Sequence, residues 1–384
     1  MFKYKKDKVA FVKKKKIVLS VTNDLVSDQR VHKIATSLKG MGFEVTLLGR
    51  RFKGQGKTID RTYNTYRFKL LFNKKVWFYA EYNLRLFLFL LFHNFDLYLA
   101  NDLDTLLPNY LVSKLKGRNL IYDSHEYFTE VPELISRPPI RAVWLAIEQY
   151  IFPKFKTVYT VNESIAEIYK SKYNVEVKVI RNIAPRLKNK EIDQELSDKI
   201  KGESSMLIMQ GAGINIDRGA EELVTAMQWI KNTILYIIGS GDVFYKLKDL
   251  VLKFNLKDRV FILDKLPYEE LMEYTKIADL GISIDKGTNP NYENSLPNKV
   301  FDYIQAQIPL LVSNRKVVSA LVKKNDIGWV IETVEPKNIA DRINKILEEK
   351  TLLKRRKENL IDLAEKFSWE KEELRLKEIY RQFL

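Results

Sequence analysis

Short apolar runs alternate with helical segments along nearly the whole chain, and this alternation constrains the fold more than any other feature. In the first half, buried-strand patterns occur at 17–21, 44–48, 96–100, 119–122, 157–161 and 177–180. In the second half the pattern starts again and occurs at 206–209, 234–238, 260–262, 280–284 and 308–312. Strand, helix and strand within about thirty residues is typical of a parallel βαβ unit. The sequence therefore predicts an α/β protein with two doubly wound, Rossmann-like domains.

The length and composition of the chain agree with this division. Its 384 residues exceed what one hydrophobic core usually holds, and 46% hydrophobic residues can fill two cores. We expect a first domain over 1–185, a second over 186–366 and a C-terminal helix over 367–384. The chain has no cysteine, which excludes disulfides and thiolate metal sites and is typical of a reducing cytoplasm. No run of 18 apolar residues occurs, so we expect no membrane span.

Positive charge is concentrated in the first half of the chain, whose overall net charge is +16. Residues 1–185 contain 32 Lys and Arg against 17 Asp and Glu, a net +15, whereas residues 186–384 contain 33 against 32, a net +1. Such asymmetry indicates a polyanionic partner of the first domain, either nucleic acid or an anionic membrane surface. Nucleic-acid binding explains the charge but not the paired βα halves. We therefore expect the membrane surface and no nucleic acid.

Residues 66–98 combine aromatic and basic side chains in an unusual way. The segment has twelve aromatic residues interleaved with cations such as Lys74 and Lys75, and its longest apolar run, Leu86 to Phe92, has only seven residues. A helix of this kind can lie in the lipid headgroup region with its basic side chains reaching anionic lipid. The alternative is a core helix with snorkelling cations. The eight lysines of residues 1–16 form either a disordered basic arm or a second membrane contact.

The stretch 294–304 is the strongest candidate for a ligand site in the second half. A buried-strand pattern precedes it, a proline stands where a first helical turn tolerates it, and Asn294 or Ser295 can cap the free backbone N–H groups. Open N–H groups, the helix dipole and Lys299 together predict a seat for an anion. Asp302, one turn further on, is expected to accept hydrogen bonds from sugar or ribose hydroxyls. The alternative is an ordinary capped helix with a surface ion pair.

Glycine-rich turns follow two strands of the second half. Gly211 and Gly213 come directly after the strand 206–209, and Arg218 stands at the entry to the next helix. Glycines let a backbone approach phosphate closely, and an arginine at that point supplies positive charge. Gly239 opens a further glycine turn at the end of the strand 234–238. These residues predict a phosphate-binding edge in the second domain.

Polar residues also follow strand ends in the first half, where open α/β sheets bind ligands. Asp28 and Arg30 lie in the loop after the first strand, which lacks Gly-x-Gly and therefore lacks a dinucleotide fingerprint. His125 follows the strand 119–122. Two interpretations of His125 stay open: a residue of the binding cleft, or a capped structural histidine.

Asp102 and Asp104 follow the strand 96–100 and are separated by one residue. An Asp-x-Asp pair is a known metal motif, but it is short and occurs often by chance. Here the pair precedes a helix in a repeating βα chain. This position favours helix capping or contact with an acceptor, and we predict no metal site.

The stretches 98–130 and 206–312 resemble the GT-B glycosyltransferases of the family-4 type. In that family a helix N-terminus and two acidic residues eight positions apart hold the nucleotide-sugar donor. Asn294 and Asp302 have that spacing, with an amide in place of the first acid. The segment 367–384 resembles the C-terminal helix that folds back on the first domain in this family.

The resemblance also assigns roles to single residues. Arg218 matches the later of two cations that bind the donor diphosphate, and Ala212 or Gly213 stands where the earlier cation is found. Gly239 matches the turn that flanks the nucleoside. His125 matches a histidine that lies in the cleft near the transferred sugar.

The resemblance implies a GT-B fold, in which two domains face one another across a cleft, and transfer of a sugar with retention from a nucleotide-diphosphate donor, expected to be a UDP- or GDP-sugar. The expected catalytic residues are His125 and Asp302. The expected donor-binding residues are Gly211, Gly213, Arg218, Gly239, Asn294, Ser295, Asn298, Lys299 and Asp302. The expected acceptor-binding residues are Asp28, Arg30, Asp102 and Asp104. No metal or other cofactor is expected, because Arg218, Lys299 and the helix N-termini can stabilise charge on the leaving diphosphate.

The expected acceptor is a glycan or lipid-linked molecule, met at the inner face of the membrane by a cytoplasmic, peripherally bound enzyme of polysaccharide or glycolipid synthesis. Two alternatives stay open: a sugar-nucleotide 2-epimerase of GT-B fold, and a non-catalytic nucleotide-sugar-binding relative. The segment 66–98 favours the transferase over the epimerase, because an epimerase needs no membrane-presented acceptor. The amide at Asn294 and the uncharged Ala212 are the reasons to consider the non-catalytic relative.

Overall fold

The structure is a computed structural model that describes residues 14–26, 28–52, 60–188 and 191–384. Within these ranges the chain forms two parallel sheets, seven-stranded in the first half and six-stranded in the second. The strands of the first sheet are β1 (Lys16–Asp24), β2 (Glu44–Arg51), β3 (Asn64–Lys69), β4 (Leu97–Asn101), β5 (Asn119–Ser124), β6 (Val158–Thr160) and β7 (Val177–Val179). The strands of the second sheet are β8 (Ser205–Gly211), β9 (Thr233–Gly239), β10 (Val260–Asp264), β11 (Leu280–Ser283), β12 (Leu310–Ser313) and β13 (Gly328–Ile331).

Helices connect almost all of these strands. Those of the first half are α1 (Gln29–Gly40), α2 (Lys75–Phe92), α3 (Leu106–Leu115), α4 (Pro132–Ile135), α5 (Pro138–Ile151) and α6 (Glu163–Tyr173). Those of the second half are α7 (Gln194–Ile200), α8 (Ala220–Ala226), α9 (Phe244–Lys253), α10 (Tyr268–Ile277), α11 (Pro290–Asn294), α12 (Asn298–Gln305), α13 (Lys316–Asn325), α14 (Pro336–Glu348), α15 (Lys350–Lys366) and α16 (Trp369–Tyr380).

Each sheet reverses its strand order beside the first strand of its half. The first sheet has the order β3-β2-β1-β4-β5-β6-β7, and the second has the order β10-β9-β8-β11-β12-β13. Leu19 of β1 pairs with Leu47 of β2 on one side and with Leu99 of β4 on the other. Open parallel sheets bind ligands beyond the carboxyl ends of their strands at such a reversal. The predicted fold of two doubly wound α/β domains is confirmed.

The central strands are apolar because helices cover both faces of each sheet. Ile17, Val18 and Leu19 of β1 are fully buried, as are Leu207 and Ile208 of β8. Successive side chains of a strand point to opposite faces, so burial of consecutive residues requires cover on both. This double burial explains why these strands appear in the sequence as continuous apolar runs.

The C-terminal helix α16 packs against the first sheet, although the residues before it belong to the second half. Trp369, Leu376 and Tyr380 of α16 lie in the same apolar core as β1 and α1. The hydroxyl of Tyr380 lies 3.2 Å from that of Tyr159, which is on β6. The end of the chain therefore joins the two halves.

The segment 66–98 contains a strand end and a helix rather than one long helix. β3 pairs with β2, placing Tyr66 opposite Leu48, and α2 begins at Lys75. β3 lies at the edge of the sheet, so Tyr66 is half-exposed while Phe68 is buried. Most of the basic arm falls in residues 1–13, outside the described ranges. No helix in those ranges combines the length and apolar character needed to cross a membrane.

Candidate active site

His125 lies between two carboxylates just beyond the end of β5. Its Nε2 is 3.1 Å from Asp123 Oδ2, and its Nδ1 is 3.4 Å from Asp102 Oδ2. Its backbone N–H donates to Asp102 Oδ1 at 2.9 Å. Burial lowers the pKa of His125, but the two carboxylates outweigh this effect and raise the pKa to about 9. Burial also raises the pKa of Asp102, to about 8, so the imidazole and this carboxyl share their protons at neutral pH, whereas Asp123 stays ionised beside the ring.

Arg30 forms a bidentate ion pair with Asp123. Its Nε and Nη2 donate to the two oxygens of Asp123 at 3.0 and 2.6 Å, and its Nη1 donates to the carbonyl of Ile180 at 2.9 Å. Arg30 is 3% exposed and Asp123 is fully buried. Burial would raise the pKa of Asp123, but Arg30 and His125 lower it overall. Arg30, predicted to contact the acceptor, supports His125 through Asp123 in this structure.

The remaining predicted acceptor residues make separate contacts. Asp28 caps α1 by accepting from the backbone N–H of Val31 at 3.1 Å. Asp104 Oδ2 accepts from the hydroxyl of Thr22 at 2.5 Å, and burial raises the pKa of Asp104 to about 6. The carboxylates of Asp102 and Asp104 are thus turned to different partners. In the part of the chain that the structure describes, no group of three or more His, Asp or Glu side chains could hold a metal ion.

The predicted donor-side glycines bring two strand ends together. The φ of Gly239 is +150°, and a Cβ at this position would lie 1.8 Å from the carbonyl oxygen of Gly211. A side chain is therefore excluded at Gly239. A Cβ on Gly211 would lie 3.8 Å from Cε of Lys299, and one on Gly213 would lie 3.8 Å from Nδ2 of Asn215. The glycine loop after β8 and the first turn of α12 consequently face one another.

Arg218 and Lys299 place two cations at this loop. Arg218 Nη1 donates to Asp285 Oδ2 at 2.5 Å, and its guanidinium lies 4.1 Å from the centroid of the Tyr292 ring. Lys299 is 9% exposed and makes no hydrogen bond or ion pair with any residue in the described ranges. Burial lowers the pKa of Lys299 to about 8, although Asp285 opposes this effect. A lysine taken from water without a carboxylate partner is a favourable contact for an incoming anion.

The first turn of α12 has open donors beside Lys299. Pro297 is the N-cap of this helix, and it makes no side-chain hydrogen bond to the first turn. Asn298 therefore begins the helix with an uncapped backbone, contrary to the expectation that Asn294 or Ser295 caps it. Such an end favours anions.

Asp302 lies one turn further along α12. Its Oδ2 accepts from Gln210 Nε2 at 3.0 Å and its Oδ1 accepts from the hydroxyl of Tyr268 at 3.3 Å. Burial raises the pKa of Asp302 to about 6, and Lys33 of the first domain opposes this effect. Each carboxylate oxygen keeps one further lone pair for a ligand hydroxyl.

Asn294 is the last residue of the preceding short helix α11, and Ser295 is the C-cap of that helix. Asn294 Oδ1 accepts from the hydroxyl of Ser164 at 2.6 Å, and its backbone carbonyl accepts from Asn162 Nδ2 at 2.9 Å. Ser295 Oγ donates to the carbonyl of Tyr292 at 3.1 Å. Asn294 thus joins the second domain to the start of α6 in the first domain.

Comparison with known families separates the chain into the same two halves. Residues 28–184 match the family model described as Glycosyltransferase Family 4, and residues 192–362 match the one described as Glycosyl transferases group 1. The chain belongs to the GT-B glycosyltransferases of the family-4 type. No curated protein matches it.

Solved structures of this fold superpose on the glycosyltransferase over nearly their whole length. Sucrose-phosphate synthase from Thermosynechococcus elongatus has a TM-score of 0.78 at 17% identity, covering 96% of this chain and 99% of that one. WaaG, a glycosyltransferase involved in lipopolysaccharide biosynthesis, has a TM-score of 0.75 at 15% identity, with 95% and 100% coverage. HepE from Anabaena in complex with UDP-glucose has a TM-score of 0.73 at 13% identity, with 96% and 99% coverage. At these identities the likeness concerns the fold.

One residue of the glycosyltransferase that sequence reasoning missed is Asn291. It is 3% exposed, its Nδ2 donates to Glu126 Oε2 at 3.0 Å, and its Oδ1 accepts from the backbone N–H of Tyr127 at 3.0 Å. Glu126 directly follows His125. Asn291 therefore connects the donor-side loop to the His125 loop across the cleft. No local pattern marks this residue, because its partners are 164 and 165 positions away.

Proposed function

We propose that this glycosyltransferase moves a sugar, with retention, from a UDP- or GDP-linked donor to a glycan or lipid-linked acceptor at the cytoplasmic membrane surface. The processes it serves would be cell-surface polysaccharide or glycolipid synthesis. The observation that carries the proposal is the pair of cations, Arg218 and Lys299, at a glycine loop on the opposite side of the cleft from His125. The UDP-glucose held by Anabaena HepE and the role of WaaG in lipopolysaccharide biosynthesis support the donor and the process.

The chemistry of the proposed donor site follows from charge. When the bond between the anomeric carbon and the diphosphate oxygen breaks, negative charge builds on the leaving oxygen. Arg218, Lys299 and the open N–H groups of α12 would stabilise this charge in a partly desolvated position. The acceptor hydroxyl forms the new bond to the anomeric carbon, and its proton passes to the leaving diphosphate.

His125 would orient the transferred sugar. Its Nε2–H is directed at Asp123 at 3.1 Å, but the 3.4 Å separation of Nδ1 from Asp102 is long for a hydrogen bond. Nδ1–H is therefore the atom proposed to donate to a sugar hydroxyl. A protonated ring strengthens such a bond.

The exposed side of α2 supports a membrane-bound acceptor. Among its apolar side chains, Trp77 is 64% and Phe92 is 76% exposed, and Leu71 just before the helix is 80% exposed. Large apolar side chains in this exposed group, together with Lys74 and Lys75, are typical of a helix lying at the lipid interface. The net charge of +15 in residues 1–185 would draw this face toward anionic lipid.

A donor screen followed by a transfer assay tests the proposal. Thermal unfolding is measured with UDP-, GDP-, ADP- and CMP-sugars, because a ligand at a hundred times its dissociation constant adds about 2.7 kcal/mol of stability. The stabilising donor, with its sugar radiolabelled, is then incubated with the protein and either bacterial glycolipid or soluble oligosaccharide. Label in the glycolipid fraction supports the proposal. If none of the UDP- and GDP-sugars stabilises the protein, the proposal is contradicted.

A further inference from the structure

Arg50 is a partly buried cation that the donor site does not use. It lies near the end of β2, and its guanidinium carbon is 4.3 Å from the ring centroid of Phe52 and 4.5 Å from that of Phe78. Its Nε is buried and has no hydrogen-bond partner in the part of the chain that the structure describes. Buried donors are nearly always satisfied, so an open one indicates a ligand contact. Both ring contacts are with the face of the guanidinium, and Arg50 makes no ion pair with any residue in the described ranges.

Asp104 offers the complementary open atom. It is 7% exposed, and Thr22 occupies only its Oδ2, whereas Oδ1 is buried without a partner in the described ranges. Asn83 of α2 fixes this segment by donating to the Asp104 carbonyl at 2.9 Å. The carboxylate of Asp104 acts electrostatically on Arg50, but the two side chains form no ion pair. Arg50 and Asp104 are therefore close enough to interact electrostatically beyond the carboxyl ends of β2 and β4, and each has a buried polar atom without a partner in the described ranges.

Resting on the proposed function, we infer that Arg50 and Asp104 form an acceptor subsite that binds a phosphate group next to a sugar hydroxyl. A guanidinium edge matches phosphate oxygens, and a carboxylate oxygen accepts from a hydroxyl. Phe78, which packs on Arg50, belongs to α2, the helix with the exposed apolar face. A phosphate held here would be close to the lipid surface. The phosphate belongs either to a lipid carrier or to a soluble sugar phosphate.

Titration calorimetry in saturating UDP or GDP, whichever the donor screen selects, tests the subsite, because this nucleotide occupies the other phosphate-binding position. The probes are glucose, glucose 1-phosphate, glucuronate and citronellyl phosphate, a short prenyl phosphate. We expect one or both phosphate probes to bind at least about tenfold more tightly than glucose, as a charged hydrogen bond implies. The tighter of the two identifies the source of the phosphate. Equal binding of phosphate probes and glucose, or tightest binding of glucuronate, overturns the inference.

Two variants separate the roles of the residues. Arg50→Gln should remove the advantage of both phosphate probes, whereas Asp104→Asn should weaken glucose 1-phosphate and leave citronellyl phosphate, which has no hydroxyl, unchanged. Arg118→Gln removes an exposed cation at the other end of the first sheet and should change neither. UDP or GDP affinity is measured in every protein. Failure of the wild type to bind either UDP or GDP contradicts the proposed function, while retained nucleotide binding with an unaltered phosphate preference in Arg50→Gln contradicts the subsite alone.

Discussion

The imidazole of His125 lies 3.1 Å from the buried carboxylate of Asp123, and this contact fixes the ring at the mouth of the first sheet. Arg30 holds the same carboxylate with two hydrogen bonds. Removing Asp123 would leave a buried arginine unpaired, which is strongly destabilising. Asp102, on the other side of the ring and partly exposed, is the better position for testing the charge of His125.

Asp102→Asn should lower the pKa of His125 from about 9 toward the ordinary value of 6.5, because it removes one of two flanking carboxylates. The folded-state pKa of His125 is raised, so its contribution to stability is fully present below pH 6.5 and is lost as pH rises through about 9. In the variant this loss occurs at lower pH. Proton NMR titration of the three histidines, assigned with His125→Gln, measures the shift. An unchanged pKa would show that Asp102 does not control the ring.

His125→Ala should reduce turnover on the order of 100-fold while changing UDP affinity little. The physical reason is position: His125 belongs to the first domain, and Arg218 and Lys299 of the second domain bind the diphosphate. Initial rates and calorimetry with UDP separate the two quantities. His93→Ala, at the exposed end of α2, is the matched control. If UDP affinity falls while turnover is intact, His125 has been assigned to the wrong part of the site.

Lys299→Ala and Arg218→Ala should each weaken binding of the donor's nucleoside diphosphate, UDP or GDP, by roughly 1.5–3 kcal/mol, the range for a hydrogen bond to a charged group. Lys299 gives the cleaner test, because its removal breaks no ion pair in the described ranges, whereas Arg218→Ala leaves Asp285 alone. Calorimetry measures the affinity, and Lys248→Ala on the exposed side of α9 is the control. Wild-type affinity in both variants would refute the donor-site assignment.

UDP affinity should also fall as pH rises above about 8. Burial lowers the pKa of Lys299 to about 8, so the side chain is charged below that pH and loses its charge above it. A bound diphosphate favours the charged form, so proton uptake accompanies binding near this pH. Calorimetry between pH 7 and 9.5, in buffers of different ionisation enthalpy, measures both effects. In Lys299→Ala the fall near pH 8 should disappear, and its persistence would assign the titration to another group.

Lys74→Glu together with Lys75→Glu should release the protein from anionic vesicles. Each lysine near an anionic surface contributes on the order of 1 kcal/mol, and salt screens this attraction. Trp77 and Phe92 would retain a salt-resistant part of the binding. Co-sedimentation compares anionic with neutral vesicles at low and high salt. The control with an equal change of charge is Lys354→Glu together with Lys357→Glu, on the exposed side of α15. If the wild type does not pellet with anionic vesicles at low salt, a soluble acceptor is favoured.

The success of the strand predictions has a physical cause. Strands of a parallel sheet covered on both faces must be apolar at nearly every position, so β1 and β8 stand out from their surroundings. β3 lacks this signature because only one neighbour pairs with it and Tyr66 faces solvent. The aromatic run that continues into α2 conceals where the strand ends and the helix begins.

The sequence by itself determined the two βα halves, the glycine loop after β8 and the charges of Arg218 and Lys299. These features depend on local pattern, which burial and backbone geometry impose directly on neighbouring residues. Only the tertiary structure decided which side chains meet: Arg30 with Asp123, 93 positions apart, and Asn291 with Glu126, 165 apart. Such contacts arise because parallel strands place distant loops at one edge of a sheet, and the facing domain supplies the partners. The spacing of residues along the sequence therefore does not show which distant side chains come into contact.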